Sequence, residues 1–179
     1  MERNLTLIAL FAALIAALGL LPKLNLVSGV PITAQSLGIM LCGTVLGAKR
    51  GGLAVLLFLA LVALGLPLLA GGRGGIGVFA GPSVGYLIGF PVAAFVTGAL
   101  AQAWRDRGGF VFPAAAALIG GMFVLNILGI IGLSIKLDKT LIEATALALP
   151  YVPGDTIKAV LAGLITQGLL KARPGLAEA

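Results

Sequence analysis

The sequence contains no histidine and a single cysteine, Cys42, so two common sources of catalytic and metal-binding chemistry are missing or nearly so. One cysteine excludes an internal disulfide and a cysteine-based metal cluster. Without histidine, the most usual nitrogen ligand and general base are absent. No paired acids and no nucleophile with an adjacent base are visible either. We therefore predict no catalytic residues, no metal site and no resident cofactor.

Charged residues are also scarce, at 10% of 179 residues, whereas a soluble domain carries about 25%. Hydrophobic residues make up 60% of the chain, and the mean hydropathy is +1.16. The 12 basic residues outnumber the 6 acidic ones, but they stand singly or in pairs and form no dense basic face, which argues against nucleic-acid binding. This composition predicts one membrane domain, residues 1–179, with the lipid bilayer as its surroundings.

Six apolar runs approach the roughly 20 residues that a membrane-crossing helix needs. They are Leu5–Leu21, Ile32–Ala48, Gly52–Ala70, Val84–Trp104, Phe110–Leu133 and Thr156–Leu170. The first could pass for a signal-peptide core, but because the rest of the chain is apolar we expect a retained helix. The prediction is an all-α integral membrane protein with six transmembrane helices, a tight turn at Lys49–Gly51 and a short surface helix within Ser134–Leu149.

The distribution of basic residues predicts the orientation of these helices. With the N-terminus inside, seven Lys and Arg residues fall in cytoplasmic segments and four in outer segments, and Lys158 stands in or beside the last span. Cytoplasmic loops carry the excess of positive charge in membrane proteins. We therefore expect both termini in the cytoplasm of a multi-pass protein.

Two glycine-containing strings resemble nucleotide-binding motifs. Gly72–Gly77 matches GxGxxG, but it follows an apolar span instead of a short strand and has no acidic residue about 20 positions later. Gly43–Arg50 is one residue short of a P-loop and ends in Arg instead of Ser or Thr. We predict no ATP site in this chain and interpret the first string as a loop that lets backbone approach a ligand or another loop.

Small residues recur at every fourth position on two spans, which marks close helix contacts in lipid. The fourth span has Gly77, Gly81, Gly85, Gly89 and Ala93, and we favour packing within the protein there. The first has Ala9, Ala13 and Ala17. For that stripe, internal packing and docking to another subunit both remain open.

Polar side chains inside or beside the spans are candidates for ligand contact. Asn126, Gln35 and Thr33 each admit a second interpretation as interhelical hydrogen-bonding groups. Asp155 and Lys158 are three residues apart and therefore share a helix face. Asp155 could cap the helix and Lys158 could extend to the surface, yet charges at the membrane end of a span are costly and mark functional sites.

Four stretches together resemble the BioY family, the biotin-specific S components of energy-coupling factor (ECF) transporters. The stretches are Val30–Gly38, Gly65–Pro67 with Ala70–Gly75, Gly81–Phe90, and Pro153–Lys158. They occur in order along almost the whole chain. The third departs from the family pattern, because Val84 replaces one of two glycines before the aromatic residue.

The resemblance implies six membrane helices and a substrate cavity near the outer surface of a prokaryotic cell membrane. It implies capture of biotin and its delivery through a transmembrane coupling subunit and two cytoplasmic ATPases. It places Asp155 and Lys158 at substrate-contacting positions and likens Ala9, Ala13 and Ala17 to the face that meets the coupling subunit. The predicted substrate-binding residues are Asp155, Lys158, Arg73, Tyr86, Asn126, Gln35 and Ser83.

Biotin chemistry fits these residues. Its carboxylate needs a cation (Arg73 or Lys158), its ureido group an acceptor (Asp155), and its bicyclic body an apolar wall with Tyr86. Three alternatives remain: an S component for another vitamin, a membrane enzyme, and a small secondary transporter. The last would show two repeated halves with broken helices, and no such repeat is visible.

Overall fold

The computed structural model describes residues 2–173, and this part of the chain is all-helical. Seven α-helices lie within these residues: α1 (Glu2–Leu18), α2 (Gln35–Leu46), α3 (Ala48–Ala63), α4 (Val84–Ala103), α5 (Val111–Leu137), α6 (Leu141–Ala148) and α7 (Tyr151–Ala172). α5 includes a π-helical segment, Leu118–Val124. Short 3₁₀ turns occur at Ile76–Ala80 and Arg105–Arg107.

α2 forms the centre of the bundle. Of its 12 residues all but Leu37 are buried, because α1, α3, α4, α5 and α7 surround it. A helix that is apolar on every side is stable only inside such a bundle. The central position of α2 explains why the polar residues at its two ends come to face other helices instead of solvent.

The fourth and fifth predicted spans correspond well to α4 and α5. Among the described residues, these are the two helices that are long and apolar enough to cross a membrane by length and composition alone. α2 has 12 residues and α3 has 16, so both are shorter than their predicted spans. The six predicted apolar runs thus correspond to helices of very unequal length. The predicted cytoplasmic ends, at residues 1 and 174–179, lie outside the described residues.

The turn between α2 and α3 was predicted in the wrong place. Lys49, Arg50 and Gly51 belong to the first turn of α3, and the break is Gly47 alone. Gly47 has φ 79° and ψ −177°, a conformation that glycine adopts without steric cost. The string that resembled a P-loop therefore runs through the end of α2 and into α3.

Large apolar side chains are exposed around the outside of the bundle. Examples are Leu53, Leu56, Phe95, Phe123, Ile127 and Leu164. Soluble monomers rarely expose contiguous apolar surface of this kind, which marks contact with a membrane or with partner proteins.

Part of the glycine stripe predicted on the fourth span packs α4 against α5. A Cβ on Gly85 would lie 2.8 Å from the Cα of Gly132, so the two helix backbones are in direct contact. Gly89 faces Leu125 and Leu128 in the same interface. Gly77 and Gly81 precede α4 and make no such contact, so the stripe was predicted too long.

We expect Gly85→Ala to destabilise the protein by roughly 1–3 kcal/mol, because overpacking of a close contact forces the helices apart. Thermal unfolding of purified protein in detergent measures the effect. Gly168→Ala on α7 is the matched control, since no atom lies within 4 Å of its added Cβ. The control should be neutral or slightly stabilising. Equal unfolding temperatures for Gly85→Ala and the wild type would contradict this backbone contact.

The short surface helix predicted within Ser134–Leu149 is present as α6. It begins with a capping box in which Thr140 and Glu143 exchange hydrogen bonds. The hydrogen bonds from Thr140 and the charge of Lys139 lower the pKa of Glu143. Leu141 and Ile142 remain exposed.

Candidate functional site

Asp155 and Lys158 form an ion pair on the first two turns of α7. The Lys158 Nζ lies 3.0 Å from Asp155 Oδ1, and the side chains are only 15% and 8% exposed. Ser36 of α2 completes a triangle, because its hydroxyl accepts from Lys158 Nζ at 2.9 Å and donates to Asp155 Oδ1 at 3.3 Å. A nearly buried ion pair persists only when such further hydrogen bonds compensate its lost hydration.

Neither alternative interpretation of this pair agrees with the structure. α7 begins at Tyr151 with Pro150 as its N-cap, so Asp155 lies in the second turn and does not cap the helix. Pro153 falls within the first turn, where its missing N–H would have had no intrahelical partner. Lys158 turns toward Asp155 and Ser36 and does not extend to the surface.

A small cavity of about 50 Å³ adjoins the carboxylate of Asp155. Five segments of the chain supply its walls: the connection before α2, α2 itself, and helices α4, α5 and α7. The lining residues are Val30, Pro31, Thr33, Ser36, Tyr86, Phe90, Leu125, Tyr151 and Asp155. The walls are apolar and aromatic, and the polar groups are concentrated at Asp155, Ser36 and Thr33.

Tyr86 and Asn126 support one wall of the cavity. The Tyr86 hydroxyl donates to Asn126 Oδ1 at 3.4 Å, and Asn126 Nδ2 donates to the Met122 carbonyl at 2.9 Å. The ring of Tyr86 packs on Gly129 of α5, where any Cβ would overlap the ring. Asn126 thus orients Tyr86 and is not among the lining residues, and Gly129 is a supporting residue that the sequence analysis missed.

Tyr151 closes the cavity on the side of residues 22–31, which lie between α1 and α2. Its hydroxyl donates to the Val30 carbonyl at 2.6 Å and lies 2.9 Å from the Ser28 hydroxyl. The rings of Tyr151 and Tyr86 lie 5.6 Å apart at 50°. Tyr151 therefore joins α7 to the segment that covers the cavity.

Gln35 is fully engaged with backbone groups. Its amide nitrogen donates to the carbonyls of Ile15 and Leu68, and its oxygen accepts from the Ala70 N–H. These bonds fasten the loop after α3 to the start of α2. The structure thus gives Gln35 a positioning role beside the cavity.

Arg73 and Ser83 do not line the cavity either. Arg73 lies in the glycine-rich loop, where a bridge to Leu69 closes a tight turn and its Nε donates to the Ala70 carbonyl at 3.4 Å. This loop leads into a 3₁₀ turn at Ile76–Ala80, not into the α-helix that a dinucleotide site requires. Ser83 is buried immediately before α4.

Ala9, Ala13 and Ala17 are all exposed on one face of α1. The opposite face buries Phe11, Ala12 and Ile15 in the core. Within residues 2–173 no helix covers the alanine stripe, so the interpretation as internal packing is wrong.

Ser36 and Tyr151 are the principal site residues that the sequence analysis missed. A signal existed for Ser36, because it lies three residues after Thr33 within a stretch that matched the family. Tyr151 lies outside the predicted span Thr156–Leu170, because Pro153 and Gly154 suggest a helix that begins after them, whereas the helix begins at Tyr151. Phe90 belonged to a matching stretch but carries no polar group to single it out.

Comparison with known proteins identifies close relatives. The BioY family model matches residues 2–175. The chain is 49% identical to a biotin transporter of Rhodobacter capsulatus over 97% of this chain and 96% of the relative. It is 48% identical to a biotin transporter of Rhizobium etli over 96% of this chain and 95% of the relative.

A solved structure has the same fold. It is the crystal structure of the S-component for biotin from an ECF-type ABC transporter, with a TM-score of 0.88 and 35% sequence identity. The match covers 95% of this chain and 92% of the other. Likeness over nearly the full length of both chains extends to the helices that form the cavity.

Proposed function

The chain belongs to the BioY family, and we propose that it is the S component that captures biotin for an ECF-type transporter. Proteins of this family are transporters and not enzymes. The observation that carries the proposal is the buried Ser36, Asp155 and Lys158 triangle beside an aromatic cavity. It lies within the stretches that gave the family resemblance.

We propose that the ureido group of biotin binds at Asp155 and Lys158. Both hydrogen bonds to Asp155 go to Oδ1, and within the described residues none is found at Oδ2. Oδ2 can therefore accept a ureido N–H. Lys158 is not among the lining residues of the cavity as it stands. It uses two of its three N–H donors on Asp155 and Ser36, which leaves one for the ureido carbonyl once the walls separate. Tyr86, Phe90 and Tyr151 form an apolar wall for the bicyclic body.

The carboxylate of biotin is assigned to Arg73. Lys158 is already paired with Asp155, whereas within residues 2–173 no ion pair involves Arg73. Gln35 directly precedes Ser36, and its side chain holds the loop that carries Arg73 by hydrogen bonds to Leu68 and Ala70. A cation at this outer position suits a ligand whose polar ring enters first and whose acid tail trails behind.

The cavity of about 50 Å³ is much smaller than the 300 Å³ or so of a typical ligand pocket. Biotin entry therefore requires the walls to separate. We place the movement at residues 22–31, because Tyr151 holds this segment by side-chain hydrogen bonds that can break without unfolding a helix.

The proposed setting is the prokaryotic cell membrane, crossed six times, with both termini in the cytoplasm and residues 1–179 as one membrane domain. The basic residues near the inner ends of the helices support this orientation. The exposed stripe of Ala9, Ala13 and Ala17 is proposed to meet the transmembrane coupling subunit. Partner ATPases supply the energy, since this chain carries no P-loop.

We expect the purified protein to bind biotin tightly in the absence of ATP, because every proposed contact comes from this chain. Isothermal titration with biotin, thiamine and riboflavin measures the specificity. Binding of thiamine or riboflavin without binding of biotin would contradict the assignment and favour an S component for another vitamin.

Tyr151→Phe should release biotin roughly 5- to 10-fold faster, since the loss of a hydrogen bond worth about 1 kcal/mol loosens residues 22–31. Displacement of labelled biotin by excess unlabelled biotin measures the rate. Ser28→Ala, which removes the neighbouring hydroxyl, should change the rate in the same direction. Unchanged release from both variants would mean that these bonds do not retain the ligand.

A further inference from the structure

A second and larger cavity, of about 270 Å³, lies at the opposite end of the bundle from Asp155 and Lys158. Thr44 on α2 and Thr166 on α7 line it, each eight residues beyond Ser36 or Lys158. Eight helical residues span about 12 Å. The two hydroxyls hydrogen-bond to each other at 2.7 Å, which closes the helix seam between the two cavities. The second cavity is therefore separate from the proposed biotin site.

The lining of this second cavity combines basic and apolar side chains. Arg105 and Lys171 both line it, and none of the acidic residues within residues 2–173 does. Phe112 contributes apolar surface and is fixed by Trp104, with ring centres 6.3 Å apart. Arg107 lies over the Phe112 ring at 5.5 Å and adds positive charge nearby. An anionic group with an attached apolar portion fits these walls.

The start of α5 adds to the positive potential. Gly108 and Gly109 line the cavity and have φ of 64° and 76°, which turns the chain sharply into the helix. In the described part of the chain, no side chain caps this helix start. The first N–H groups of a helix lack intrahelical partners and favour an anion.

We propose that this cavity binds the phosphodiester headgroup of an anionic phospholipid. Basic pockets between membrane helices take such headgroups. A lipid is favoured over free phosphate because the apolar walls, which include Val45 and Leu170, suit the glycerol and upper acyl chain. The volume is adequate for a headgroup but small for a complete ligand. With the orientation proposed above, the site opens to the cytoplasmic leaflet.

Native mass spectrometry of the purified full chain, exchanged into mixed micelles with phosphatidylglycerol or phosphatidylcholine, tests this proposal. The wild type should retain phosphatidylglycerol preferentially. Arg105→Gln combined with Lys171→Gln should reduce that preference roughly tenfold or more, since each cation near the headgroup contributes. Lys136→Gln combined with Lys139→Gln is the matched control, with the same loss of charge at the other end of the bundle. It should behave as the wild type.

Biotin titration of all variants separates this site from the proposed function, because both double variants should bind biotin as the wild type does. Equal retention of phosphatidylglycerol by the wild type and the Arg105/Lys171 variant would overturn the proposal. The proposal would also be overturned if the Lys136/Lys139 control lost as much phosphatidylglycerol preference as the Arg105/Lys171 variant. Protection from thermal unfolding by inorganic phosphate but not by the lipid would assign the cavity to free phosphate. Loss of coupling-subunit assembly without any lipid effect would assign it to a protein partner.

Discussion

Lys158→Met should weaken biotin binding about 30-fold or more. The substitution keeps most of the length of the side chain but removes the donor that contacts Asp155 and Ser36. Loss of a charged hydrogen-bonding partner in a desolvated site costs about 2 kcal/mol, and 1.4 kcal/mol corresponds to a factor of ten. Asp155→Asn should have an effect of similar size. Isothermal titration of each purified variant with biotin gives the dissociation constants.

Either single substitution also leaves an uncompensated buried group, so lost binding could reflect local disorder. The double variant Asp155→Asn with Lys158→Met distinguishes these causes, because replacing both members of a buried pair restores stability. We expect its thermal stability to exceed that of either single variant while biotin binding stays weak. Recovery of binding along with stability would contradict direct contact with biotin. Lys139→Met, an exposed lysine with the same substitution, should bind normally.

Ala13→Trp should abolish most assembly with the coupling subunit while the isolated protein still binds biotin. Ala13 is exposed in the middle of the α1 stripe, on the face opposite the core. Small residues allow membrane helices to approach closely, and a bulky side chain holds them apart. An overpacking cost of roughly 1–3 kcal/mol lowers the affinity about 5- to 150-fold. Co-purification with a tagged coupling subunit measures the complex.

Ala99→Trp is the matched control for this experiment. Ala99 is an exposed alanine on α4, which lies away from α1. The control should assemble and take up biotin normally. If Ala13→Trp assembles as well as the control but has lost biotin binding, the stripe contributes to the fold of the site and not to docking.

The membrane class, the helical fold and the Asp155 and Lys158 pair were predictable from the sequence, because each depends on local pattern. Long apolar runs predicted α4 and α5. The spacing of three residues predicted that Asp155 and Lys158 share a helix face. The alanine spacing revealed a stripe but not its surroundings. Only the packed bundle shows that the stripe is exposed.

Features that depend on packing were beyond the sequence. Hydropathy measures apolar content and not helix length, so the predicted spans run past both ends of α2 and past the C-terminal end of α3. Pro153 and Gly154 normally mark a turn, but here Pro153 occupies a first helical turn where proline is tolerated. Because the predicted helix began at Thr156, Tyr151 was not recognised as a residue of the site. The partners of Gln35 are residues 15, 68 and 70, and no local pattern connects them.

The narrowness of the cavity beside Asp155 has a kinetic consequence. If capture requires a rare open conformer, the apparent affinity for biotin is the intrinsic affinity of that conformer multiplied by the fraction of molecules that adopt it. As the vitamin concentration rises, the observed association rate then approaches a maximum that is set by the rate of opening and not by diffusion. The same barrier slows dissociation of the vitamin, so a closed cavity of this kind favours a long residence time over rapid association. That property suits scavenging of a scarce nutrient.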